Sequence, residues 1–174
     1  MSNTKKLTIC ALLVALGTTI MVVGATVDAL DLSVCAIASL LVVFVYLEIG
    51  SYYPWLVWIC TTLATALLYS HSIIWAEYFL VFGIYPLIKA YIERLPRWSW
   101  LIVKLVYING VIWGIFAISE LVLGLPFFDE ESMILSVVTY ILMNVAFLAF
   151  DYFIVVMAKF YSVKIRPKIK KLLK

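Results

Sequence analysis

LTICALLVALGTTIMVVGATV, residues 7–27, runs without a charged side chain for the length a helix needs to cross a bilayer. Lys5 and Lys6 stand before it and Asp28 follows. A secretory signal has a shorter apolar core, about 7–15 residues, so the stretch is read as an uncleaved first membrane span. Ala11 and Ala15 lie one turn apart on one face of this helix. Thr8 and Thr18 flank them, and leucine at those places would keep a neighbouring backbone away.

The rest of the chain repeats the pattern. Of 174 residues, 66% are hydrophobic and 13% charged, and the mean hydropathy is +1.13. A soluble domain needs more polar surface than that, whereas a chain dissolved in lipid does not. Apolar runs separated by short polar breaks predict one all-α integral membrane domain over residues 1–174. Its six transmembrane helices fall at approximately 7–27, 32–50, 55–70, 73–92, 100–123 and 133–160, followed by a basic tail at 161–174. The breaks are DALD, GSYYP, SHS, ERLPRW and GLPFFDEES. Pro86, inside FGIYPLIKAY, is expected to kink the fourth helix and free a carbonyl near Phe82, with Gly83 permitting close packing beside it.

Charge sets the expected orientation. With the N-terminus in the cytoplasm and six crossings, all 13 lysines and arginines fall on the inner side or at the inner ends of spans. Asp28, Asp31, Asp129, Glu130 and Glu131 fall outside. This is the positive-inside arrangement, so both termini are expected in the cytoplasm of a multi-pass cell-membrane protein. The tail VKIRPKIKKLLK then lies against anionic lipid. No folded basic domain accompanies it, so nucleic acid is not an expected partner.

Charges inside spans are costly and mark candidate sites. They fall in two layers. The inner layer holds Glu48, Lys89, Lys104 and Asp151, whose opposite signs can neutralise one another or contact a partner. The outer layer holds His71, Glu77 and Glu120, with no lysine or arginine at that depth. Trp75, Tyr78, Tyr140 and Phe127 are candidate aromatic neighbours, and the mid-span amides Asn109 and Asn144 are expected to bond other helices. Carboxylates beside aromatic rings suit a small organic solute that is cationic or a heterocycle with hydrogen-bond donors. A wetted helix end within an interfacial aromatic belt would look the same. Cys10, Cys35 and Cys60 read as apolar core residues. The chain has one histidine and lacks HExxH, GxSxG and any metal-ligand spacing, so no catalytic residue, metal or cofactor is expected.

The first helix, KLTICALLVALG, with its Ala-xxx-Ala face, resembles the first helix of the S components of energy-coupling factor (ECF) transporters. The size, the six spans and the inward termini agree with that bundle. The resemblance implies a bacterial subunit that captures a vitamin or similar micronutrient from outside. Ala11 and Ala15 would dock on a transmembrane coupling subunit that two ATPase subunits drive. Glu77, Glu120, His71, Trp75, Tyr78, Tyr140 and Asn144 would belong to the solute pocket at the outer ends of helices 4 to 6. Metal-importing members use a histidine next to the initiating methionine, where this chain has Ser2. The fold is also similar to that of MreD-type cell-shape proteins, which act as non-transporting scaffolds. Their usual Pro-Asp at the start of the second helix is not present here.

Overall fold

The computed structural model describes residues 2–26, 31–123 and 133–168, and among them every regular element is helical. In chain order these are α1 (Asn3–Gly24), α2 (Asp31–Glu48), α3 (Tyr53–Leu68) and α4 (Ile74–Glu77). A π-helical turn, Tyr78–Phe82, continues α4, and α5 (Tyr85–Ile92) follows. A short 3-10 turn, Arg97–Ser99, leads into α6 (Trp100–Leu123), and α7 (Met133–Phe160) ends in a second π-helical turn, Tyr161–Ile165. These elements occupy the six apolar stretches. Four helices among the described residues are long and apolar enough to cross a membrane: α1, α2, α6 over Trp100–Ile118, and α7 with its extension over Val137–Lys168. α3 has 16 residues, about 24 Å at 1.5 Å per residue, against roughly 30 Å of hydrocarbon.

α1, α2 and α3 pack on one another. Glycine makes the closest approaches. An added Cβ at Gly24 would stand 2.4 Å from Val34 of α2, and one at Gly17 would stand 3.3 Å from both Leu41 and Thr61. Thr18 and Met21 share this buried face, and Thr65 of α3 points its hydroxyl at the Met21 sulfur, 3.8 Å away. Thr18 therefore does not flank the alanine face as expected. Ala11, Ala15 and Thr8 lie on the exposed side of α1 together with Thr19. The Thr8 and Thr19 hydroxyls donate to the carbonyls of Thr4 and Ala15 one turn back.

The fourth segment is broken before its proline. In the π-helical turn the Gly83 N–H reaches Tyr78 O at 2.7 Å instead of the carbonyl one residue later. That releases Phe79 O, which accepts from Trp58 Nε1 at 3.2 Å, while Leu80 O accepts from the Tyr107 hydroxyl. Each freed carbonyl thus finds a side-chain donor on another helix, as a broken helix in an apolar surround requires. Pro86 then sits in the first turn of α5, where its missing N–H costs nothing. Gly83 is required because its Cβ would lie 2.4 Å from Trp58 Cδ1 and 2.9 Å from Tyr78 O.

Two glycine substitutions separate this packing requirement from helix propensity. Gly83→Ala forces the Trp58 ring and the turn apart and should destabilise the protein by about 1–3 kcal/mol. Gly110, on α6, has nothing within 4 Å of an added Cβ, so Gly110→Ala should be neutral or stabilising by up to about 1 kcal/mol. Thermal unfolding in detergent, followed by circular dichroism, measures both. Equal behaviour of the two variants would refute the account of the broken segment.

Candidate functional site

The broken segment borders a half-open cavity of about 660 Å³ also lined by α2, α6 and α7. Asp31, Ser33 and Glu77 line it near the start of α2 and the end of α4. The rest of the wall is apolar, with Ile108, Ile112 and Ile115 from α6 and Phe147, Phe150 and Phe153 from α7. Phe82, in the π-helical turn, meets Phe150 edge to face at 4.7 Å. Glu77 reaches the cavity because α4 lasts only one turn before the widened turn begins. Its Oε2 is buried without a hydrogen-bond partner.

A second group of charges lies farther along the same helices. Asp151 of α7 accepts from Lys89 of α5 through Oδ1 and from Lys104 of α6 through Oδ2 at 2.7 Å. The Tyr85 hydroxyl also donates to Oδ1, at 2.5 Å, and Lys89 reaches Glu93 at 3.3 Å. Both lysines are buried. Two cations and two carboxylates therefore balance within one cluster, which is what a low-dielectric surround demands. Glu48 stands apart, at the C-terminus of α2, paired with Arg166 at 2.9 Å. The same guanidinium reaches Leu47 O at 3.4 Å, so it also serves the carbonyl end of α2. A smaller cavity of about 370 Å³ between α2, α5 and α7 has Lys89, Glu93 and Lys159 in its wall.

Among the candidate solute-binding residues, the structure brings Glu77 to the large cavity. Tyr78 is fully buried away from it, with its hydroxyl beside Thr61 of α3. Trp75 buries an indole nitrogen that has no hydrogen-bond partner and does not line the cavity. His71 is exposed ahead of α4. Tyr140 donates to Asn109 Oδ1 and so joins α7 to α6. Asn144 bonds Tyr140 O within its own helix, at 3.1 Å, and among the described residues makes no bond to another helix. The Glu120 side chain, Phe127, Asp28, Asp129, Glu130 and Glu131 lie outside the described residues, as does the tail beyond Lys168.

Asp31 and the aromatic wall were missed in the sequence. Asp31 belongs to a polar break by composition, yet it opens α2. The wall had a signal in AFLAFDYF, where Phe147, Phe150 and Asp151 fall on one helical face. Comparison with protein-family models, curated proteins and solved structures finds no match.

The shared aspartate gives a double-mutant test. Asp151→Asn takes the neutralising carboxylate charge away from two buried lysines, Lys89 and Lys104, and should cost about 3–5 kcal/mol. Adding Lys104→Met should recover part of that loss, with a coupling energy of about 0.5–3 kcal/mol. Asp151→Asn and Glu48→Gln, in separate clusters, should add. Denaturant unfolding in mixed micelles reads the three single and two double variants, and strict additivity of Asp151→Asn with Lys104→Met would show that the two groups do not interact.

Proposed function

We propose that this chain is the substrate-binding subunit of an ECF-type micronutrient importer in a bacterial cell membrane. It captures a small organic solute from outside and docks on a transmembrane coupling subunit with its ATPases. In this reading the chain crosses the membrane six times, with α3 and the broken α4–α5 segment as the short crossings, and both termini face the cytoplasm. The cavity then opens toward the outside, at the Asp31 and Glu77 end, and the cluster around Asp151 lies toward the cytoplasm.

The observation that carries the proposal is the cavity itself. Its volume, about 660 Å³, falls in the range of small-molecule sites. So does its make-up, an apolar wall with a few polar groups gathered at one end. The exposed small face of α1 supports the second half. Ala11 and Ala15 are not used for packing inside the bundle, and the hydroxyls beside them are turned back onto their own helix. A partner helix meets a smooth surface with no donor to satisfy.

Purification without added ligand, followed by native mass spectrometry, tests the solute. A small molecule should travel with the protein. Ala146→Trp, on the cavity wall at an exposed position of α7, should fill the space and abolish the bound mass while the helical content stays unchanged. A protein that is empty in every preparation would favour the non-transporting, MreD-like scaffold instead.

Docking has its own test. Changing Ala11 and Ala15 together to leucine should leave folding and solute retention intact, because both side chains are exposed in the isolated chain. Solute uptake and co-purification with a membrane partner should be lost. A double variant that fails to fold alone would show that this face packs within the subunit.

A further inference from the structure

Among the described residues, Glu77 has a buried carboxylate oxygen and no ion-pair partner. Its Oε2 has no hydrogen-bond partner, and no lysine, arginine or histidine is among the described residues lining the cavity. The nearest buried cations in the sequence of the broken segment and α6, Lys89 and Lys104, are both committed to Asp151. Asp31 adds a second carboxylate to the same wall. An ionised carboxylate in an apolar cavity is costly unless a cation or several donors meet it.

The α7 part of the cavity wall has different chemistry. Phe147 and Phe150 present rings there, and they are fixed from behind by the Tyr85 ring, at 4.6 and 6.0 Å between centroids. Such a wall accepts an aromatic or aliphatic body and offers nothing to a second charge. An anion would be repelled by Glu77. A zwitterion would have to leave its own carboxylate against phenylalanine or beside that acid. A neutral solute would leave Glu77 to be neutralised by a proton and would make no use of its charge.

We infer that the solute is a monovalent organic cation, an amine or similar group attached to an apolar body, with Glu77 as its counter-ion and the phenylalanine wall holding the body. This inference rests on the solute-binding reading above and narrows it to one substrate class.

Matched probes test the charge apart from the shape. Tryptamine, tryptophol and indole-3-propionate share an indole ring and carry a cationic, a neutral and an anionic end. The parallel phenyl series is 2-phenylethylamine, 2-phenylethanol and 3-phenylpropionate. Calorimetric titration into the full chain in lipid nanodiscs should show the amine of either series binding roughly tenfold or more tighter than its alcohol, with the carboxylate weakest. Glu77→Gln should remove that preference for the amine while leaving the alcohol's affinity nearly unchanged. Should that variant fail to fold, Glu77→Asp serves, since it keeps the charge and should retain the preference. Tighter binding of an alcohol or a carboxylate would overturn the inference and leave the solute-binding reading standing. If no probe binds, the solute that co-purifies decides the matter by its ionic form, a cation in favour and anything else against. Absence of both probe binding and a co-purified solute would sink the solute-binding reading itself.

Discussion

Lys89 and Lys104 come from different helices and end on the two oxygens of one aspartate. Apolar helices in an apolar surround gain little from hiding their side chains from one another, so packing and polar cross-links must set their register. α7 shows this directly. Tyr140 ties it to Asn109 of α6, Asp151 ties it to α5 and α6, and Arg166 beyond its end holds Glu48 of α2. Tyr140, Phe147 and Asp151 are spaced seven and four residues apart, so they share a face. Sliding α7 by one residue would rotate that face by about 100° and break the first two ties together.

The cavity depends on the same arrangement. Tyr85 donates its hydroxyl to Asp151 and lays its ring against Phe147 and Phe150. The charge cluster therefore fixes the orientation of the aromatic wall, although none of its charged groups enters the cavity. On the other side, the π-helical turn sets where Glu77, Val81 and Phe82 point. Its widened geometry is held by Trp58 and Tyr107, which occupy the two carbonyls the turn releases. Cavity and scaffold are thus coupled through Tyr85 at one end and through backbone hydrogen bonding at the other.

Much of this was legible in the sequence because apolar length and charge placement are strong local signals. The helical stretches were readable within a few residues, and so was the gathering of opposite charges around Lys89, Lys104 and Asp151. Features that depend on which face meets which were not. Glu48 has the right sign for the Asp151 cluster, but it sits on the last residue of α2 and meets Arg166 instead. Pro86 marked an interruption, yet the break lies upstream, because proline fits the first turn of a new helix better than the middle of an old one. On α1 the small face of Ala11 and Ala15 is exposed, while the close contacts within the bundle fall on Gly17 and Gly24, a quarter-turn or more away. Helical spacing tells which residues share a face and leaves open which face is covered.

The two charged regions differ in a way that burial alone does not reveal. Around Asp151 the cations and carboxylates match, so the cluster is complete without any further molecule. At the other end a carboxylate oxygen is buried without a hydrogen-bond partner beside a cavity that no described cation lines. A membrane protein built only to hold helices together gains nothing from an unmatched acid at such a place, since an amide or an apolar residue would fill it at lower cost. Neutrality can be restored there by a proton or by a cation from outside the chain. In the proposed reading the second uses the space beside Glu77, and the phenylalanines in the same wall offer a cation's apolar body a surface to rest on.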